Sequence, residues 1–349
     1  MIKVLVVDDS PTVREQLAAI IESDGELNLV GMAHNGIQAV EMVAKMRPDV
    51  VIMDIHMDKM DGFEATQIIM EQTPVPIVIN STLLSADHVE NTFRAMQAGA
   101  VAAMEKPKGP GHPEYAQTCR KLISTVKLMS EVKVVRRSSK LRKVRPELPP
   151  SPAPLKAREK AEIKIVAVGA STGGPPVIRT ILTNIRPDFH LPILFVQHIS
   201  LGFLTGMVGW LNKESTLPVE IPEHGSMIKP GHVYFAPDDF HMGVMKSGKI
   251  VLSKASLENG VRPSVSFLFN SVARSHGDQA VGILLSGMGS DGSAELRDML
   301  DKGAITIAQD EESSVVHGMP GEAIRLNGAK EIMTPMEIAA FLNSLADKK

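Results

Sequence analysis

"IKIVAVGASTGGPPVIRTIL", residues 163–182, decides how this chain is built. Its first seven residues are an almost unbroken apolar run, its middle is a string of small residues and prolines, and "VIRTIL" returns apolar residues at helical spacing. That order reads as a buried strand, a tight turn and a helix, which is half of a βαβ unit. Further strands follow at "LPILFVQH", "HVYFAP", "AVGILLSG" and "AITIAQD". Helical patterns between strands predict a doubly wound parallel sheet whose ligands gather at the carboxyl ends of the strands.

The same alternation fills residues 2–104. "IKVLVV", "LNLVGMA", "DVVIM", "PIVIN" and "AVAAM" read as strands, and a last helix is expected over Pro113–Met129. Between the two halves lies "EVKVVRRSSKLRKVRPELPPSPAPLKAREKAE", basic and then proline-rich, with no sustained apolar face, which is the composition of a linker. The organisation expected is a first domain over 1–128, a linker over 129–161 and a second domain over 162–349.

Composition narrows the function classes. Of the 349 residues 44% are hydrophobic and 22% charged, with a net charge of -3, so the chain has no general attraction for nucleic acid. No helix-turn-helix signal or basic C-terminal domain supports a DNA-binding output. Cys119 is the only cysteine, which excludes an intrachain disulfide and a thiolate metal cluster within one chain. "MIKVLVVDD" reaches acidic residues too early for a signal peptide, and no apolar run is long enough to insert in a membrane; a cytoplasmic location is expected.

In the first half the strand ends carry chemistry. Strand one stops at Asp8 and Asp9, strand three at Asp54, and strand five is followed by Lys106. A parallel sheet brings these ends together. Three carboxylates repel one another unless a cation joins them, and a set of oxygen ligands suits Mg²⁺. A metal-bound phosphoryl group is the natural guest, with Asp54 as the nucleophile that accepts it and Lys106 neutralising its oxygens. With "VDDS", "MDIHMDKMDG", "INST" and "EKP" as landmarks, residues 1–128 resemble the receiver domain of two-component response regulators. The resemblance implies a flavodoxin-like fold, Asp54 as phosphoacceptor, and Mg²⁺ held by Asp8, Asp9, Asp54 and the His56 backbone carbonyl. It also implies that Ser81 senses the phosphoryl group and that a histidine kinase is the phosphodonor. Asp58, where such domains usually have proline, and Ala103, where an aromatic switch residue is usual, depart from the pattern.

In the second half, Pro175 and Pro176 follow Gly174 where a Walker-type phosphate loop needs Lys-Ser or Lys-Thr, and Ser171 stands where a dinucleotide loop needs its second glycine. The turn does satisfy G-x-S-x-G, which exposes a serine at a strand end beside a helix N-terminus. A serine nucleophile requires a base oriented by an acid. "PILFVQH" delivers His198 at the end of the next strand and "GMGSDG" delivers Asp291 after a later one, while His190, His224 and His232 lack such a place. The Met288 backbone N–H is a candidate donor to the oxyanion. The chain order Ser, His, Asp differs from that of α/β-hydrolases.

"GASTGG", "QH", "RPSV", "LLSGMGSDG", "TIAQDE" and "VVHGMPGEA" make residues 162–349 similar to the catalytic domain of the chemotaxis receptor protein-glutamate methylesterase family. The resemblance implies a Rossmann-like hydrolytic α/β domain with a β-hairpin and the triad Ser171, His198 and Asp291, with Met288 at the active site and no cofactor for the esterase. It implies hydrolysis of glutamate γ-methyl esters on the cytoplasmic helices of methylated chemoreceptors, with glutamine deamidation in some members. Ser266 stands where an aspartate is expected after "RPSV". Because an open triad acts continuously, the receiver is expected to block the Ser171 cleft until Asp54 is phosphorylated. The other reading of the residues is a response regulator with a non-catalytic α/β binding output domain.

Overall fold

The computed structural model describes residues 1–81, 86–132, 134 and 162–346, with the side chains of 86–91 excluded. Most of the expected linker lies outside the described residues. The chain separates into two compact units, Met1–Arg145 and Pro146–Lys349, a division that falls within the linker expected from composition.

The first unit runs β1 (Ile2–Val7), α1 (Pro11–Glu22), β2 (Leu27–Ala33), α2 (Gly36–Met46), β3 (Val50–Met53), α3 (Gly62–Gln72), β4 (Ile77–Ser81), α4 (Ala86–Ala98), β5 (Ala102–Glu105) and α5 (Tyr115–Ser130). Its five strands form one parallel sheet in the order β2-β1-β3-β4-β5. The central strands read as continuous apolar runs because helices cover both faces: Val4 to Val7 and Val50 to Met53 are fully buried. The strand order reverses between β1 and β3, and the residues just beyond those two strands are Asp8 and Asp54.

The second unit runs β6 (Ile165–Ala170), α6 (Gly174–Asn184), β7 (Ile193–Gln197), α7 (Phe203–Glu214), β8 (Val219–Glu220), β9 (Val233–Phe235), β10 (His241–Val244), β11 (Ile250–Ser253) and α8 (Val265–Ser275). It continues with β12 (Ala280–Leu284), α9 (Ser293–Asp301), β13 (Ile305–Gln309), α10 (Met319–Arg325), β14 (Glu331–Met333) and α11 (Pro335–Ala346). Seven strands make a parallel sheet in the order β14-β13-β12-β6-β7-β9-β8, and β10 and β11 pair as an antiparallel hairpin beside it. The chain leaves β6 toward β7 and later returns to place β12 on its other side, so the crevice of this sheet opens at the ends of β6, β7 and β12. Both sheets thus have the doubly wound α/β architecture expected from the apolar runs.

Candidate functional site

Ser171 is the first residue beyond β6, on a turn fixed from two sides. Its N–H donates to the Ser286 carbonyl at 3.0 Å, and the Gly174 N–H donates back to the Ser171 carbonyl at 2.9 Å. The turn closes through Gly173 at φ +80, where an added Cβ would lie 2.5 Å from Val315 Cβ, so no larger residue fits. Close approach matters again across the crevice, because a Cβ on Gly287 would lie 2.7 Å from Ser171 Cβ. Helix α6 starts at Gly174, and Pro175 and Pro176 bring no N–H groups to its first turn. Among the described residues the Thr172 and Met288 N–H groups have no hydrogen-bond partner, and the Met288 side chain is exposed.

His198 follows β7. Ala170 and Gln197 are paired across β6 and β7, and the His198 N–H donates to the Ala170 carbonyl at 2.9 Å. Ser171 and His198 therefore stand side by side, one residue beyond paired positions on strands about 4.8 Å apart. The Gln197 amide ties them together: its Nε2 donates to the Ser171 carbonyl and to the His198 carbonyl, each at 2.8 Å. The His198 ring puts Nε2 2.9 Å from Asp291 Oδ2, near enough for charge pairing but bent away from hydrogen-bond geometry. Ser171 Oγ makes no hydrogen bond to the ring in this structure.

Asp291, in the β12–α9 turn, is the most constrained of the three. Oδ1 accepts from Asn259 Nδ2 and Ser264 Oγ, both at 2.8 Å, and from the Ser266 N–H at 3.2 Å. Oδ2 accepts from the Val265 N–H at 2.6 Å. Ser264 caps α8 and Val265 and Ser266 open it, so the carboxylate sits at the positive end of an 11-residue helix. Burial alone would push the Asp291 carboxyl up; its contacts with His198, Asn259 and Ser266 outweigh burial and hold it well below the usual carboxylate range.

Ser266 has a defined place despite departing from the expected aspartate. Its Oγ donates to Glu295 Oε2 at 2.6 Å and accepts from Asn259 Nδ2 and the Gly292 N–H, each at 2.9 Å. Gln197, Asn259, Ser264 and Glu295 are contributors that sequence reasoning missed. Only Asn259 carried a local signal, the Asn-Gly pair of a tight turn.

On the first sheet, Lys106 Nζ lies 2.6 Å from Asp8 Oδ2 and 2.9 Å from Asp54 Oδ2. Asp8, Asp9 and Asp54 each offer a carboxylate oxygen, all within 4.8 Å of one another. That donor set of hard oxygens, two of its residues buried, fits Mg²⁺. Burial pushes the Asp54 carboxyl up, Lys106 pulls it down, Asp8 raises it again, and the outcome is a value of about 6. Burial alone would depress the Lys106 ammonium, but Asp54 and Asp8 hold it above its usual range. Ser81 ends β4, buried, with its carbonyl accepting the Lys106 N–H at 3.2 Å, and His56 lies two residues beyond Asp54. Ala103 pairs with Ile79 in the sheet, and Asp58 lies in the β3–α3 loop, its carbonyl accepting the Met60 N–H.

Two parallel sheets, each with polar side chains gathered at its crevice, define a response regulator joined to an α/β enzyme domain. A family model described as the response regulator receiver domain matches residues 4–112, and one described as CheB methylesterase matches residues 166–342. The chain belongs to the CheB methylesterase family. It is 49% identical to protein-glutamate methylesterase/protein-glutamine glutaminase 1 of Syntrophus aciditrophicus, over 99% of both chains. It is 51% identical to protein-glutamate methylesterase/protein-glutamine glutaminase 4 of Geobacter metallireducens, over the full length of both. The crystal structure of the Thermotoga maritima CheB methylesterase catalytic domain superposes with a TM-score of 0.51 and 36% identity, covering 53% of this chain and all of that one. No helix among the described residues is long and apolar enough to cross a membrane.

Proposed function

We propose that this chain is a phosphorylation-regulated protein-glutamate methylesterase of the cytoplasm, acting on glutamate γ-methyl esters of chemoreceptor helices and deamidating glutamine there. In this reading residues 1–128 are the receiver, 129–161 the linker and 162–349 the catalytic domain. The observation that carries it is Asp291, held ionised 2.9 Å from His198 Nε2, with Ser171 on the neighbouring strand end.

With Nε2 on the side of Asp291, Nδ1 is the ring nitrogen that takes the Ser171 proton. Ser171 Oγ then bonds to the ester carbonyl carbon, and the negative oxygen of the tetrahedral intermediate is met by the Thr172 and Met288 N–H groups. The bond to the methoxy oxygen breaks, His198 returns the proton, and methanol leaves. Water, deprotonated by His198, opens the acyl-enzyme to a γ-carboxylate and restores Ser171. A glutamine side chain follows the same steps with ammonia as leaving group.

On the receiver, Asp54 accepts the phosphoryl group from a histidine kinase. Asp8, Asp9, Asp54 and the His56 carbonyl would hold Mg²⁺, which neutralises charge on the phosphoryl oxygens. Lys106 and Ser81 engage those oxygens, and the receiver state they stabilise raises access to Ser171.

The test is methanol release from methylated receptor membranes. Ser171→Ala is expected to lower kcat on the order of 10⁶-fold, and a small phosphodonor is expected to raise the wild-type rate. Retained turnover in Ser171→Ala would favour a non-catalytic second domain with a contaminating activity, and equal rates with and without phosphodonor would remove the regulation.

A further inference from the structure

We propose that Asn259 is a positioning residue for Asp291, presented to it by a two-residue turn, an inference that rests on the triad reading above. Glu258 and Val261 exchange backbone hydrogen bonds of 3.2 and 3.1 Å. The two residues between them, Asn259 and Gly260, both have positive φ, +53 and +78. That is the type I′ geometry, in which asparagine is the side chain that tolerates the left-handed conformation best. Asn259 is exposed at the surface, yet its amide reaches a carboxylate that is only 5% exposed.

The amide has one possible orientation there. Ser266 Oγ gives its only hydrogen to Glu295 Oε2, so toward Asn259 it has only a lone pair to offer. Asp291 Oδ1 likewise offers only lone pairs. An amide oxygen turned toward these two acceptors would face repulsion from both, so Nδ2 must point inward, one hydrogen to each. Glu295 therefore fixes Ser266, Ser266 fixes Asn259 and the Gly292 N–H, and Asn259 fixes Asp291 Oδ1. Oδ1 is the oxygen not used by His198; pinning it sets the rotation of the carboxylate, and hence where Oδ2 meets Nε2. Ser264 Oγ and the Ser266 N–H still hold Oδ1 when the amide is gone, so its loss loosens the carboxylate without freeing it.

The test separates this role from that of a turn former. Asn259→Gly keeps the type I′ turn and deletes the donor; Asn259→Ala deletes the donor and strains the turn. In the full chain, with phosphodonor and methylated receptor membranes, both variants should lose about tenfold in kcat with KM within about twofold. Both should lower Tm through the lost hydrogen bond to Asp291, and Asn259→Ala further through the strained turn. A residue needed only for the turn gives the opposite pattern, with Asn259→Gly normal in kcat and Tm and Asn259→Ala reduced in both. Wild-type kcat in Asn259→Gly, alongside an inactive Ser171→Ala, would overturn the role of Asn259 and leave the triad standing. An active Ser171→Ala would overturn both.

Discussion

Replacing Gln197 by methionine tests whether the two strand ends are held together by one amide. Gln197 is 4% exposed, and its Nε2 supplies the Ser171 and His198 carbonyls at 2.8 Å each. Methionine matches its length and removes both donors. The Ser171 carbonyl keeps the Gly174 N–H, so its loss is about 0.5–1.5 kcal/mol, whereas the His198 carbonyl is left without a donor at about 1–3 kcal/mol. Against this, Gln197 Oε1 is itself buried without a partner, and methionine relieves that desolvation, worth about 1–2 kcal/mol. The net expectation is a modest stability loss of about 1–2 kcal/mol. Activity should fall further, because a shift near 1 Å between nucleophile and base costs about 10²-fold. Trp210, the only tryptophan, is buried in α7 of the second unit, so its fluorescence in urea reports on that unit alone. Methanol release on the same samples gives kcat. A Gln197→Met chain that loses the expected stability but turns over at the wild-type rate would refute the clamp, because the amide would then be an ordinary structural group.

On the receiver, a Cβ at Gly62 would lie 2.0 Å from the Asp54 carbonyl oxygen and 2.9 Å from Ile55 Cα, both backbone. Gly62→Ala should therefore displace the Asp54 segment, destabilise the receiver by about 1–3 kcal/mol and slow labelling by a small phosphodonor at least tenfold; wild-type labelling would show that the loop yields freely. Because the Asp291 carboxyl is held low, the stability it contributes is complete above the ordinary carboxylate range and is lost as pH falls toward its folded value. Asp291→Asn should thus differ most from wild type near pH 7 and converge with it below about pH 4, measured by Trp210 unfolding in urea; a gap that widens in acid would contradict the sign.

The doubly wound architecture was legible because strands buried on both faces are apolar runs, and "VLVV", "VVIM" and "ILFV" cannot be read otherwise at that length. The residues ending those runs were legible for the same reason: Asp8, Asp54 and Ser171 are the first polar positions after them, and His198 is the second after "ILFV". What stayed hidden is everything that acts sideways. Gln197 stands only as half of the landmark "QH" until its amide is seen to cross to the neighbouring strand end. Asn259, Ser264 and Ser266 reach Asp291 over sequence separations of 32, 27 and 25 residues, so no local pattern could join them. Ser266 read only as a departure from the pattern, because its partner Glu295 lies 29 residues on, in the first turn of α9. Strands β8, β10, β11 and β14 also escaped as residue patterns, the hairpin of β10 and β11 being expected only from the resemblance.

The three proposed catalytic groups are constrained very unequally, and the inequality says where substrate acts. Turning the Asp291 carboxylate means breaking hydrogen bonds from Asn259, Ser264, Val265 and Ser266 at the end of a helix. Turning the Ser171 hydroxyl means rotating one side-chain torsion, with no hydrogen bond to give up. In the proposed mechanism the carboxylate is thus set by the fold, while the bond from Ser171 to His198 is left to form when an ester carbonyl lies against the Thr172 and Met288 N–H groups. On the proposed mechanism such an arrangement favours a substrate that arrives on the surface of another protein: the segment carrying the ester would complete the hydrogen bonding of the turn, and carbonyls that fail to do so would not be attacked.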